Sequence, residues 1–157
     1  NGDKESGVTT FFLKRKVDTG NIIAQKKTPV LDEDNLHSLY DKLRYLGADL
    51  VIDTLNLIAN EEISENEQDD SLACPAPKVT SETQLLNFEE SSIQCHNRVR
   101  AFAPKPGAFT FREKSRIKIL ATRSVDGHGT PGQVIEVSSN SFSIACGTGA
   151  LAIDKVQ

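Results

Sequence analysis

The chain has 157 residues, 38% of them hydrophobic and 25% charged, and a net charge of −4, a composition that allows one ordinary domain or two small ones and is neither that of a disordered chain nor that of a membrane protein. No apolar run approaches the ~20 residues that a bilayer-spanning helix needs. Asn1-Gly2-Asp3-Lys4-Glu5 lacks the basic-then-apolar pattern of a secretory signal, so the sequence reads as a soluble intracellular protein.

Val8 to Leu13 is rich in β-branched and aromatic residues, and Ile22 to Lys26 is a second short apolar run. Two strands are therefore predicted, flanking a turn that carries Asp18 and Gly20. A carboxylate held at the mouth of a sheet beside apolar strand ends loses hydration and becomes usable as a proton acceptor. The alternative is an ordinary turn in which Asp18 only binds a nearby backbone N–H.

Pro29 cannot donate to a central ladder, which places the second strand at an edge. Asp32-Glu33-Asp34-Asn35 supplies capping residues, and Leu36, Leu39, Tyr40 and Leu43 recur at helical spacing. The pattern resumes beyond Gly47 as Leu50, Val51, Leu55 and Ile58, so a kinked helix or two helices meeting at Gly47 is expected. From Glu61 to Gln84 seven acids face the single base Lys78, and Pro75 and Pro77 break any helix, so 61–84 reads as an acidic linker.

Ser91 or Ser92 caps a predicted helix carrying Ile93, His96, Val99 and Phe102 on one face, ended by Pro104 and Pro106. Five strand-like runs follow, Ala108–Phe111, Ile117–Thr122, Gln133–Val137, Phe142–Cys146 and Ala150–Val156, separated by Gly, Asn and Pro. Short strands at that spacing predict a small barrel or sandwich. Gly147-Thr148-Gly149 lacks the Lys-Ser/Thr of a phosphate loop and reads as a hairpin turn.

Residues 1–60 carry 8 bases and 9 acids, 61–84 carry 1 and 7, and 85–157 carry 9 and 6. Within 98–123, Arg98, Arg100, Lys105, Arg112, Lys114, Arg116, Lys118 and Arg123 meet only Glu113, a local charge of +7. Such a stretch suits a polyphosphate partner or is simply a solvated face. Strand alternation in Arg116-Ile117-Lys118-Ile119 puts the cations on one side and the isoleucines on the other. Phe109 and Phe111 are the main aromatics nearby, which favours backbone contact over base stacking. Cys74, Cys95 and Cys146 are odd in number and lack C-x-x-C spacing, so neither a disulfide framework nor a zinc site is indicated. His37, His96 and His128 have no metal-ligand spacing. The chain contains no Met and opens on Asn, which reads as an incomplete chain.

The run Gly7-Val8-Thr9-Thr10-Phe11-Phe12-Leu13 followed by Val17-Asp18-Thr19-Gly20-Asn21-Ile22-Ile23-Ala24-Gln25 resembles the last two strands of the catalytic domain of folate-dependent formyltransferases. The match continues through Leu39-Tyr40-Asp41-Lys42-Leu43 and Leu46-Gly47-Ala48-Asp49-Leu50 to about residue 60, and Ala76-Pro77-Lys78 matches the family's interdomain segment. It is clearest in His96-Asn97-Arg98-Val99-Arg100-Ala101-Phe102-Ala103-Pro104-Lys105-Pro106-Gly107-Ala108, Gly129-Thr130-Pro131-Gly132 and Ala145-Cys146-Gly147-Thr148-Gly149-Ala150-Leu151, which are similar to the C-terminal domain of the methionyl-tRNA formyltransferases. Asn21, Lys105 and Asn87-Phe88 depart from the Asp, Trp and Asp-Trp common at those places.

The resemblance implies an α/β plus β architecture: a C-terminal remnant of a Rossmann-like formyltransferase domain at 1–60, the linker at 61–84, and an open OB-like β-barrel at 85–157. It implies catalysis by Asp18 in a turn supported by Thr19 and Gly20, acting with an Asn and a His that no residue here matches. The implied co-substrate is 10-formyltetrahydrofolate, with no metal. The implied partner is initiator methionyl-tRNA, bound through Lys78, Arg98, Arg100, Lys105, Arg112, Lys114, Arg116, Lys118 and Arg123. A monomer in the bacterial cytoplasm or an organelle matrix follows, with these 157 residues inactive alone. A non-catalytic RNA-binding module and formyltetrahydrofolate dehydrogenase are the alternatives. Glycinamide ribonucleotide formyltransferase shares the turn but has no barrel.

Overall fold

The computed structural model describes residues 1–157, which fold as two compact units. One unit comprises Asp3–Asp32 and Ser38–Pro77; the other comprises Asn1–Gly2, Glu33–His37 and Lys78–Gln157. No helix is long and apolar enough to cross a membrane.

In the first unit β1 (Glu5–Phe11) and β2 (Ile22–Pro29) form a two-stranded antiparallel sheet. Their register pairs Ser6 with Thr28, Val8 with Lys26 and Thr10 with Ala24, all on one face. That face meets α1 (Leu36–Ala59): the Thr10 and Thr54 hydroxyls are 2.8 Å apart, and Lys26 pairs with Asp53. Asn35 caps α1, its side-chain oxygen accepting from the His37 N–H at 2.9 Å. The helix runs unbroken through Gly47, so the expected break is absent; Gly47 lies on the sheet side, near Val8. Leu50 and Thr54 are buried, whereas Tyr40, Val51, Leu55 and Ile58 are exposed, because α1 carries apolar residues on more than one face.

The second unit holds nearly all the core. Here α2 (Ser81–Gln84) and α3 (Ser92–Phe102) precede a five-stranded antiparallel sheet of β3 (Ala108–Arg112), β4 (Ser115–Val125), β5 (Val134–Val137), β6 (Phe142–Ala145) and β7 (Ala150–Val156). The spatial order is β3-β4-β7-β6-β5, and the sheet does not close by hydrogen bonding between β3 and β5. All five sequence-predicted strands are present within a few residues. Central β7 begins with four successive buried residues, Ala150 to Ile153, as a strand covered on both faces should.

A capping box between Ser91 and Gln94 starts α3. The helix buries Ser92, Cys95 and Val99; of the expected face Val99 is buried and Phe102 packs against the core, whereas Ile93 is exposed. The apolar count alone missed the small residues that let α3 approach the sheet: the Ser92 and Ser124 hydroxyls are 2.7 Å apart, and the Ser92 N–H reaches the Thr148 carbonyl at 2.9 Å. Leu86, Cys95, Val99, Ala108, Ile119, Ile144, Cys146, Leu151 and Ile153 form one contiguous core. Burial pushes the Cys95 thiol up to about 12 and also raises Cys146, so both are protonated packing residues at neutral pH. Gly147-Thr148-Gly149 forms the β6–β7 turn, where a side chain at Gly147 would collide with the Glu89 carbonyl.

Candidate functional site

Asp18 sits in the loop between β1 and β2, with φ of 58°. Left-handed backbone is unfavourable for most residues but is tolerated by Asp and Asn. Its side chain is exposed, and Leu13 and Val17 nearby are 90% and 80% exposed, so these residues do not supply the expected desolvation. Thr19 donates its hydroxyl to the Lys16 carbonyl at 2.9 Å, closing the turn locally. Gly20 is buried, and a Cβ there would lie 1.4 Å from the Phe12 carbonyl oxygen, so only glycine fits. The Phe12 N–H bonds to the Asn21 carbonyl at 3.0 Å on the strand side.

The far side of this turn is held by residues that read as linker in the sequence. Ile22 and Asn66 exchange backbone hydrogen bonds of 2.7 and 3.0 Å, and the Asn21 amide donates to Glu65 at 2.8 Å. The Gln68 side-chain amide donates to the carbonyls of Asp18 at 3.0 Å and of Gly20 at 2.7 Å. Nothing in the acidic composition of 61–84 marks these contacts; only the amide side chains among the acids could have drawn attention. The segment divides at Pro77 and Lys78 between the two units.

In the second unit the cations separate into two sets. Arg98 donates to the Leu85 carbonyl at 3.0 Å and to Glu90 at 2.9 Å. Arg100 donates to Asn97 and to the Asp34 carbonyl, and Arg123 makes a two-point contact with Asp154, both bonds 3.0 Å. These three are spent on internal contacts. Lys78, Lys105, Arg112, Lys114 and Arg116 are exposed. Arg112 and Lys114 flank Glu113 at the β3–β4 turn, where Glu113 has φ of 55°.

The β3–β4 register pairs Phe109 with Lys118 and Phe111 with Arg116, which puts all four on one face, and Ile117 and Ile119 on the other. The Arg116 guanidinium carbon lies 3.7 Å from the centroid of the Phe109 ring, a cation–π contact. Phe109 is buried and meets Phe111 edge-on at 5.5 Å, leaving Phe111, 54% exposed, as the open ring. Lys118 lays its stem over Gly107 and donates to the Gln157 side chain at 3.3 Å. The result is a hairpin with cations at its tip and along one face, suited to contact with phosphates.

Two family descriptions match the chain: "Formyl transferase" over residues 1–55 and "Formyl transferase, C-terminal domain" over residues 78–157. A methionyl-tRNA formyltransferase from Citrifermentans bemidjiense is 34% identical over 157 residues, covering 100% of this chain and 49% of that protein. Another, from Streptococcus pyogenes serotype M6, is 38% identical over 100% of this chain and 50% of that protein. The chain thus spans about half the length of these curated relatives. Among solved structures, the N-formyltransferase from Helicobacter canadensis in complex with folinic acid and dTDP-3-aminofucose aligns with a TM-score of 0.78 at 23% identity, over 99% of this chain and 57% of that chain.

Proposed function

The chain belongs to the formyl transferase family, and on that premise we propose that the full-length protein is a methionyl-tRNA formyltransferase. It moves the formyl group of 10-formyltetrahydrofolate to the α-amine of initiator methionyl-tRNA, ahead of translation initiation. The observation that carries this reading is the extent of the relation: the curated methionyl-tRNA enzymes align across both units and all 157 residues.

In the proposed reaction the uncharged amine attacks the formyl carbon, forming a C–N bond and a tetrahedral oxyanion. The bond to the folate nitrogen then breaks, the amine loses a proton and the folate nitrogen gains one. Asp18 is the carboxylate of this chain assigned to that proton path, with Thr19 and Gly20 shaping its turn. In the family an Asn and a His share the work, with the carboxylate orienting the His.

Residues 1–60 are read as the C-terminal part of a Rossmann-like catalytic domain, 61–84 as the connecting acidic segment, and 85–157 as an open OB-like barrel that binds tRNA. Register irregularities in β4, around Ala121, support the barrel reading, because bulges bend a strand and let a sheet curl. The exposed Lys78, Lys105, Arg112, Lys114 and Arg116 are the proposed phosphate contacts. The proposed setting is the bacterial cytoplasm or an organelle matrix, and the proposed state a monomer.

Expression of the full-length protein in a bacterium lacking its own methionyl-tRNA formyltransferase tests the reading. Nascent proteins should regain N-formylmethionine. Folded, soluble protein that leaves those N-termini unformylated would overturn it.

A further inference from the structure

We propose that Gln68 is a positioning residue for Asp18: its side-chain amide clamps the catalytic turn by donating to the Asp18 and Gly20 carbonyls together. The inference rests on the reading of Asp18 given above. Both contacts are carbonyl oxygens, at 3.0 and 2.7 Å, so only the nitrogen of the Gln68 amide can face them. The two N–H groups hold the peptide planes that follow Asp18 and Gly20.

Fixing those planes matters because of where Asp18 sits. At φ of 58° the residue occupies a small, sparsely populated backbone region. Such a conformation persists only when surrounding contacts over-determine it. Gly20 is blocked on one side by the Phe12 carbonyl, and the Ile22–Asn66 bridge pins the chain two residues further on. The carbonyl of Asp18 itself has one side-chain contact, from Gln68. Without it, the peptide between Asp18 and Thr19 is free to rotate, and that rotation redirects the carboxylate. Gln68 therefore acts on the chemistry from 50 residues away in sequence, through geometry alone.

The test uses the full-length protein as wild type, Gln68→Leu, Asp18→Asn and the double variant. Turnover and KM for methionyl-tRNA are measured for each, and amide exchange is followed at Ile22 and Asn66, with Leu151 as a remote control. Gln68→Leu should lower kcat by about 10- to 100-fold, as expected when a reacting group is misplaced. KM should stay within threefold, exchange at Ile22 and Asn66 should quicken, and Leu151 should not respond. In the Asp18→Asn background the same substitution should cost nothing further in kcat, because the group it positions is gone. Gln68→Glu adds a pH signature: its ionised form cannot donate, so its activity relative to wild type should recover as pH falls and the carboxyl gains a proton.

An equal loss in both backgrounds would mean a general structural role and overturn the proposal. Unchanged turnover and exchange in Gln68→Leu, with Asp18→Asn inactive, would overturn the clamp alone. Quickened exchange in Gln68→Leu with Asp18→Asn fully active would overturn the catalytic reading of Asp18, and the positioning role with it.

Discussion

Asp18→Asn in the full-length protein is expected to lower turnover by about 10²- to 10⁴-fold, the range typical of losing a proton-transfer group. Affinity for methionyl-tRNA should change by no more than a few-fold. The substitution is unusually clean at this position. Asn shares with Asp the tolerance for left-handed backbone, and Asp18 has φ of 58°. The side chain is exposed and has the same shape, so neither packing nor the turn is disturbed. Asp18→Ala would mix loss of the carboxylate with backbone strain. Single-turnover rates with saturating folate co-substrate, alongside filter binding of tRNA, separate chemistry from binding. A rate within tenfold of wild type would remove Asp18 from the mechanism.

Reversing the hairpin tip, with Arg112→Glu and Lys114→Glu together, is expected to weaken tRNA binding by at least about tenfold at low salt. The log–log dependence of affinity on salt should flatten, by roughly 0.7 to 0.9 for each phosphate contact removed. Both side chains are exposed at a turn, so folding should be unaffected and circular dichroism unchanged. Arg116→Glu is a less specific probe, because it also strips the cation from the Phe109 ring and places a carboxylate against it. Arg123→Glu would set two carboxylates against each other, through Asp154, and report on the fold. Binding that is insensitive to salt, or unaltered by the double reversal, would make the hairpin a solvated surface.

Much of this was legible in the sequence because it depends on local chemistry. Short strand-like runs separated by turn residues marked all five strands of the larger sheet, and Ser91 or Ser92 marked the start of α3. Strand alternation also placed Arg116 and Lys118 opposite Ile117 and Ile119. What could not be read depends on partners distant in sequence. Arg98, Arg100 and Arg123 look like their neighbours in a charge count, and only the fold shows them paired with Glu90, Asn97 and Asp154. Gly47 suggested a break in α1, yet helix packing beside the sheet outweighs the modest cost of one glycine. The segment from Glu65 to Gln68 was read by composition as linker because side-chain amides binding backbone carbonyls leave no periodic signal. The Asp18 turn itself stood out only through its resemblance to a family, since one carboxylate in a turn has many ordinary uses.

The two units carry different demands. The larger has its own core, with fourteen buried hydrophobic residues between Leu86 and Ile153, whereas Leu50 is the only hydrophobic side chain of the other unit that is fully buried. Tyr40, Tyr45, Ile52 and Leu55 are exposed on α1.

Acceptor choice by the full-length protein is the most direct measurement, because the Helicobacter canadensis N-formyltransferase of similar fold is in complex with dTDP-3-aminofucose. With 10-formyltetrahydrofolate as donor, kcat/KM should be determined for methionyl-tRNA and for a dTDP-linked amino sugar in parallel. Preference for methionyl-tRNA by about 10³-fold or more is the predicted result, falling when Arg112 and Lys114 are reversed. Equal use of both acceptors, or preference for the sugar nucleotide, would contradict it.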